Sequence, residues 1–213
     1  MELPNDTRIA GDKTVADWNA LKAEYSREKT EKFWRIAFTD FFKQRVETRY
    51  FAPIDCLSSQ GSGTGEGFSI VAIQCTLIEF LGSTIEGKNY RFRKKQAPPL
   101  DKDTEYDNSS DIFVRFLELK MPFSDLFRQE GSAIDFYKSV RCGLLHEART
   151  KDLWTIVARR DSRTAVDTVN KVIDRDLFQE CFNTFLRDYE EQILLRSDLQ
   201  NALLRKLDGF CRR

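Results

Sequence analysis

The decapeptide VRCGLLHEAR, residues 140–149, holds the single histidine of a 213-residue chain. Arg141 precedes His146 by five positions. Imidazole suits proton transfer because it changes charge near neutral pH. A guanidinium suits negative charge developing on phosphoryl or carboxyl oxygens, because its planar fork stays charged and donates in pairs. At about 100° per residue of α-helix, Arg141 and His146 lie about 140° apart, so they flank Cys142 and Arg149 rather than stack. Gly143, which weakens the helix at that turn, is expected to let the two side chains converge.

Residues 132–149 read as the amphipathic helix that carries this pair. Ile134, Tyr137, Val140 and Leu144 are its expected core seam. Asp135, Lys138, Arg141, Cys142, His146 and Arg149 fall on the adjoining face. Asp135 and Glu147 fit the role of ion-pair partners.

The elements that must position this helix are mostly helical too. Thr14, with Asp17 three residues on, predicts the start of a short helix over 14–26. Phe33, Trp34, Ala37, Phe38, Phe41, Phe42 and Val46 form one apolar stripe over 31–50, followed by Pro53. Residues 68–86 and 111–120 make further helices, the second ended or kinked by Pro122. The helix over 177–195 is the clearest, with Asp176 as expected N-cap and Gln179 at the capping-box position. A further short helix is expected to run to Leu207. LWTIVA (153–158) and AVDTVNKVI (165–173) are β-branched and flank RRDSRT, which reads as a small hairpin. The segment SSQGSGTGEG, 58–67, reads as a flexible connector, since no Lys-Ser/Thr pair follows it as a phosphate loop requires. Tyr90 and Phe92 interleave with Arg91, Arg93, Lys94 and Lys95, which reads as a solvated loop or as a stacking surface for RNA.

The expected class is all-α: an up-and-down bundle of four to five long helices with one small β-hairpin insertion. Apolar residues at 41% and charged residues at 32% exclude general disorder. Lys+Arg and Asp+Glu both total 34, so a globally basic nucleic-acid binder is excluded and any such site must come from local clustering. The five cysteines have no CxxC pair, and one histidine cannot complete a zinc set; reduced thiols in a cytoplasmic compartment are expected. The N-terminus has no apolar signal region and no run approaches a membrane span, so a soluble intracellular protein is expected.

A helical bundle with Arg-x4-His on a late helix, here RCGLLH, resembles the HEPN superfamily, small all-α domains that include prokaryotic ribonuclease toxins and defence effectors. The resemblance covers roughly residues 68–195. It implies three segments: a helical arm at 1–57, the loop 58–67, and a HEPN-like domain at 68–213. It also implies that Arg141 and His146 are the catalytic pair of a metal-independent endoribonuclease, brought together with their copies in a homodimer. No cofactor is implied, and an antitoxin or sensor partner is. Lys138, Arg149 and Lys151, and more loosely Arg159, Arg160 and Arg163, are then expected phosphate contacts. Catalytic members often carry a polar residue directly after the arginine, where this chain has Cys142. A non-catalytic module binding RNA, a nucleotide or a protein partner is the alternative.

Overall fold

The computed structural model describes residues 2–59, 63, 65–94, 96–158 and 164–212. The described residues are mostly α, with 63% of them helical and only small sheets. It divides into two compact units. One comprises Met1–Pro53, Ser83–Asp107 and Tyr189–Arg213; the other comprises Ile54–Gly82 and Asn108–Asp188.

In the first unit, the strands Arg8–Ala10 and Lys13–Thr14 pair antiparallel and lead into the helix Val15–Glu24. Thr14 and Asp17 close the expected capping box: the Thr14 N–H donates to Asp17 at 2.7 Å and the Asp17 N–H donates to Thr14 Oγ1 at 3.3 Å. The apolar face of this helix is buried through Val15, Trp18 and Leu21. Trp18 meets the rings of Phe33 and Phe41 at 6.1 and 5.1 Å. Its indole N–H donates to Asp208 at 2.8 Å, where Lys22 also binds at 2.6 Å. Phe38 and Phe42 pack edge-on to the buried ring of Tyr189, both at 5.6 Å. Each such ring removes enough apolar area from water to stabilise the fold by about 1.5–3 kcal/mol.

The helix carrying that stripe does not stop at Pro53. Helical backbone runs without a break over 31–59, with π-helical segments at Ala37–Lys43 and Glu47–Phe51 and an α segment, Ala52–Ser59, that contains the proline. A π turn bonds five residues back instead of four, as Ala52 N–H does to the Glu47 carbonyl. That rearranged turn lies just ahead of a residue that has no N–H to give.

The basic stretch after residue 90 is tied to the acidic stretch that follows it. Asn89–Tyr90 pairs parallel to Glu105–Tyr106. Arg91 binds Glu105 at 2.8 Å and Arg93 binds Asp107 at 3.1 Å. Tyr90 and Phe92 remain exposed.

The second unit is built on aromatic rings. Phe123 meets Phe116, Phe178 and Phe182 at 5.0, 5.7 and 4.9 Å. Phe136, from the helix that carries the motif, meets Phe127, Trp154 and Phe178 between 5.2 and 5.9 Å. The helix Glu66–Glu86 is long and apolar enough, by length and composition, to cross a membrane, so the expectation that no run approaches a span needs correction. More than half of its apolar stretch is buried inside the protein, as in a helix of a protein core.

Two expectations change in this unit. The expected hairpin of LWTIVA with AVDTVNKVI does not form; the antiparallel pair lies within the second segment, as part of a three-stranded sheet. Val172–Asp174 is central, with Thr155–Val157 parallel on one edge and Val166–Asp167 antiparallel on the other. The segment AVDTVNKVI holds a turn: Asp167 accepts from the N–H groups of Val169 and Asn170 at 3.0 and 2.9 Å, the local bonding that bends a chain at Asp. The cap of the helix Arg175–Leu195 is Asp174, not Asp176, since its Oδ1 accepts from the N–H groups of Asp176 and Leu177 at 3.1 and 3.0 Å. Asp174→Ala is expected to lower stability by about 1–2 kcal/mol, the usual cost of losing a helix cap, read as a shift in the denaturant midpoint.

Candidate functional site

Helical backbone carries the motif over 132–147, and it is not uniform. Tyr137–Arg141 is a π-helical turn between the α segments Ser132–Phe136 and Cys142–Glu147, with the Cys142 N–H donating to the Tyr137 carbonyl. A π turn inserts one residue, so an α-periodic reading slips by one position across it. Val140 and Leu144 are buried as expected; ahead of the π turn the buried positions are Ser132, Ala133 and Phe136, whereas Ile134 is only half-buried, as is Tyr137 at the first position of the turn.

Tyr137 and Arg141, four residues apart, stand beside each other on this helix, as i,i+4 residues do. The Arg141 guanidinium carbon lies 5.2 Å from the centre of the Tyr137 ring, and Nη2 faces Glu79 Oε2 at 3.5 Å. Ser109 donates to the other Glu79 oxygen at 2.7 Å. The Arg141 side chain is 19% exposed. Burial alone would push its pKa down, yet Tyr137 and Glu79 together raise it above the ordinary arginine value. The Cys142 thiol stands against both Tyr137 and Arg141.

His146 is exposed on the last turn of the helix and has no hydrogen-bond partner among the described residues. Among the described residues nothing joins it to Arg141: one is framed by neighbours and the other points to water. Gly143 does not bring them together, contrary to the expectation from sequence. Its role lies in the chain that follows. Ala148 ends the helix in the left-handed region (φ 53°), and the backbone folds back so that the Arg149 carbonyl would lie 2.5 Å from any Cβ added at Gly143. Lys151 N–H then reaches the Ser139 carbonyl at 2.9 Å.

The returning segment stays strained beyond that point. Asp152 and Leu153 both have positive φ, a conformation costing about 1–3 kcal/mol at a non-glycine residue. Three side-chain bonds hold it: Ser139 Oγ to Asp152 at 2.6 Å, Thr150 Oγ1 to the Trp154 carbonyl at 2.5 Å, and Trp154 Nε1 to Asp135 at 2.9 Å. Asp135 also binds Lys171 at 3.2 Å. Burial would raise the Asp135 pKa, but the donors Trp154, Lys171 and Ser139 outweigh it and hold the carboxyl below its ordinary value.

The expected phosphate contacts fare unequally. Arg149 and Lys151 both bind Glu147, at 2.9 and 2.5 Å, so one carboxylate engages two cations. Lys138 is exposed and has no ion pair among the described residues. Arg159, Arg160 and Arg163 lie outside the described residues, as do Lys95 and positions 60–62 and 64 of the Gly/Ser-rich segment. Among the described residues no group of three or more His, Cys, Asp or Glu side chains is placed to hold a metal ion. All five cysteines are free thiols.

Glu79 and Ser109 were not singled out in the sequence. One signal marked Glu79: it is the only charged residue between Glu66 and Glu86 in a largely apolar helix. Such a carboxylate needs a partner, and only the fold brings Arg141 to it. No family model, curated protein or solved structure matches the chain. Gly143→Ala is expected to cost about 1–3 kcal/mol through overpacking against the Arg149 backbone, measured as a lowered unfolding midpoint.

Proposed function

We propose that this chain is a HEPN-type, metal-independent endoribonuclease, its second unit the core of an up-and-down bundle and its working form a homodimer in a reducing, cytoplasmic setting. One observation carries the reading. A framed, partly buried arginine and a solvent-facing histidine stand five residues apart on one helix, and the histidine is the chain's only imidazole. RNA cleavage through the 2′-hydroxyl needs that hydroxyl to lose a proton as its oxygen bonds to the phosphorus. The bond to the 5′-oxygen then breaks as that oxygen gains a proton. One imidazole cannot stand at both ends of the reaction. An isologous dimer supplies two, His146 from each protomer, with the Arg141 side chains on the phosphoryl oxygens. Lys138, Arg149 and Lys151 add phosphate contacts that carry no sequence preference. A toxin or phage-defence role, restrained by an antitoxin or sensor protein, suits such an activity.

A second reading is a non-catalytic HEPN-like module that binds RNA, a nucleotide or a protein. Two observations favour it: Cys142 stands where catalytic members often have a polar residue, and Glu147 already engages two of the three proposed phosphate-binding cations.

Purified protein incubated with labelled RNA in EDTA separates the two. The first reading expects 2′,3′-cyclic phosphate and 5′-hydroxyl ends, no cutting of DNA, and specific activity that falls on dilution to monomer. His146→Ala should lower the rate by about 10²–10⁴ and Arg141→Ala by about 10²–10³, with unchanged melting curves. Binding without cleavage that is insensitive to His146→Ala would favour the second.

A further inference from the structure

A guanidinium that meets a phosphate from a flexible side chain spends much of its time elsewhere. Arg141 is held from two directions, and one of its holders is itself fixed from a third helix. Its own helix supplies the Tyr137 ring at 5.2 Å. The helix Glu66–Glu86 supplies Glu79, whose Oε2 faces Nη2 at 3.5 Å. The first residue of the helix Ser109–Leu119 supplies a hydroxyl that fixes the second Glu79 oxygen at 2.7 Å. Glu79 is the sole charge in its stretch of helix, and its side chain is only 18% exposed. The contact to Glu79 engages Arg141 through Nη2, and the Cys142 thiol is a second hydrogen-bonding neighbour of the guanidinium. A guanidinium has five N–H donors, so a carboxylate that holds it through one nitrogen can aim the others at a third group.

We infer that Glu79, itself oriented by Ser109, is a positioning residue that aims the Arg141 guanidinium at an RNA phosphate. This deepens the proposed function and rests on its assignment of Arg141 to phosphate.

The role has a signature that a purely structural ion pair lacks. Glu79 brings a negative charge close to an anionic ligand, so removing it weakens the aim of Arg141 without weakening the general attraction of RNA. Glu79→Gln is therefore expected to lower kcat about tenfold or more while KM stays level or falls. Loss of a strut between helices would instead lower the melting temperature and leave the turnover of folded protein unchanged.

The test is a double-mutant cycle on the full chain, read as the Kd for a single-stranded 2′-O-methyl RNA, which has no free 2′-hydroxyl to react. Arg141→Ala is expected to weaken binding about tenfold in the native background and about twofold or less beside Glu79→Gln, because contacting residues couple and independent ones add. Ser109→Ala, which leaves the charge in place, should reduce the same coupling in part, and it serves if Glu79→Gln melts early. Equal costs of Arg141→Ala in both backgrounds overturn the role of Glu79 while leaving the cleavage reading intact. A native protein that binds this RNA but leaves unmodified RNA uncut overturns cleavage alone, and the coupling still decides for or against Glu79. If Arg141→Ala binds as tightly as the native protein, Arg141 touches no phosphate and both fall.

Discussion

Phe136 is the fixed point from which the site is laid out. Its side chain is fully buried, and rings from four other segments close on it: Phe113, Phe127, Trp154 and Phe178. Edge-to-face and offset contacts of this kind add about 0.5–1.5 kcal/mol each beyond the area they bury. With Phe136 locked, the motif helix cannot rotate. Tyr137 and Arg141, four residues apart on that fixed helix, then share a side, and Arg141 faces Glu79. Trp154 ties the returning strained segment to the same point, because its ring packs on Phe136 while its N–H donates to Asp135. Aromatic packing therefore brings Arg141 to Glu79, which the spacing of two residues could not do alone.

Charge follows a local logic. The chain has as many acidic as basic residues, and around the motif most cations find a carboxylate close in sequence or in space: Arg149 and Lys151 on Glu147, Lys171 on Asp135, Arg141 on Glu79. Exposed pairs of this kind contribute little to stability, about 0–1 kcal/mol, and are screened by salt. They do shape what an anionic ligand meets. A phosphate approaching Arg149 or Lys151 competes with Glu147 for water-exposed cations, whereas at Arg141 it meets a cation already oriented by a shielded carboxylate. The basic stretch after residue 90 shows the same neutralisation, its arginines being tied to Glu105 and Asp107.

Reading the chain from its residues succeeded where the cause was local. The Thr14–Asp17 capping box spans four residues and closes as its types require. The stripe from Phe33 to Val46 is buried because aromatic residues at helical spacing have one place to go. The same reasoning slipped where a feature had no local marker. The π turn at 137–141 leaves the composition of the helix unchanged, so the expected core positions ahead of it fall one residue out. Pro53 carries a strong stop signal, yet the helical backbone continues through it from a π turn that no pattern announces. Asp176 and Asp174 are equally good caps by type, and the choice fell to the residue at the end of a strand that another strand holds in place.

By itself the sequence determined that this chain is mostly helical, which faces of its helices are apolar, and that one arginine and one histidine stand together on a late helix. Periodicity and side-chain chemistry act within a turn or two, and they are written in neighbouring residues. Only the tertiary structure decided that Arg141 is framed by Glu79 and Tyr137, that Gly143 admits the Arg149 carbonyl, and that His146 is left facing water. Each of these depends on backbone that arrives from far along the chain or bends by one inserted residue, and contacts of that range are set by packing rather than by spacing.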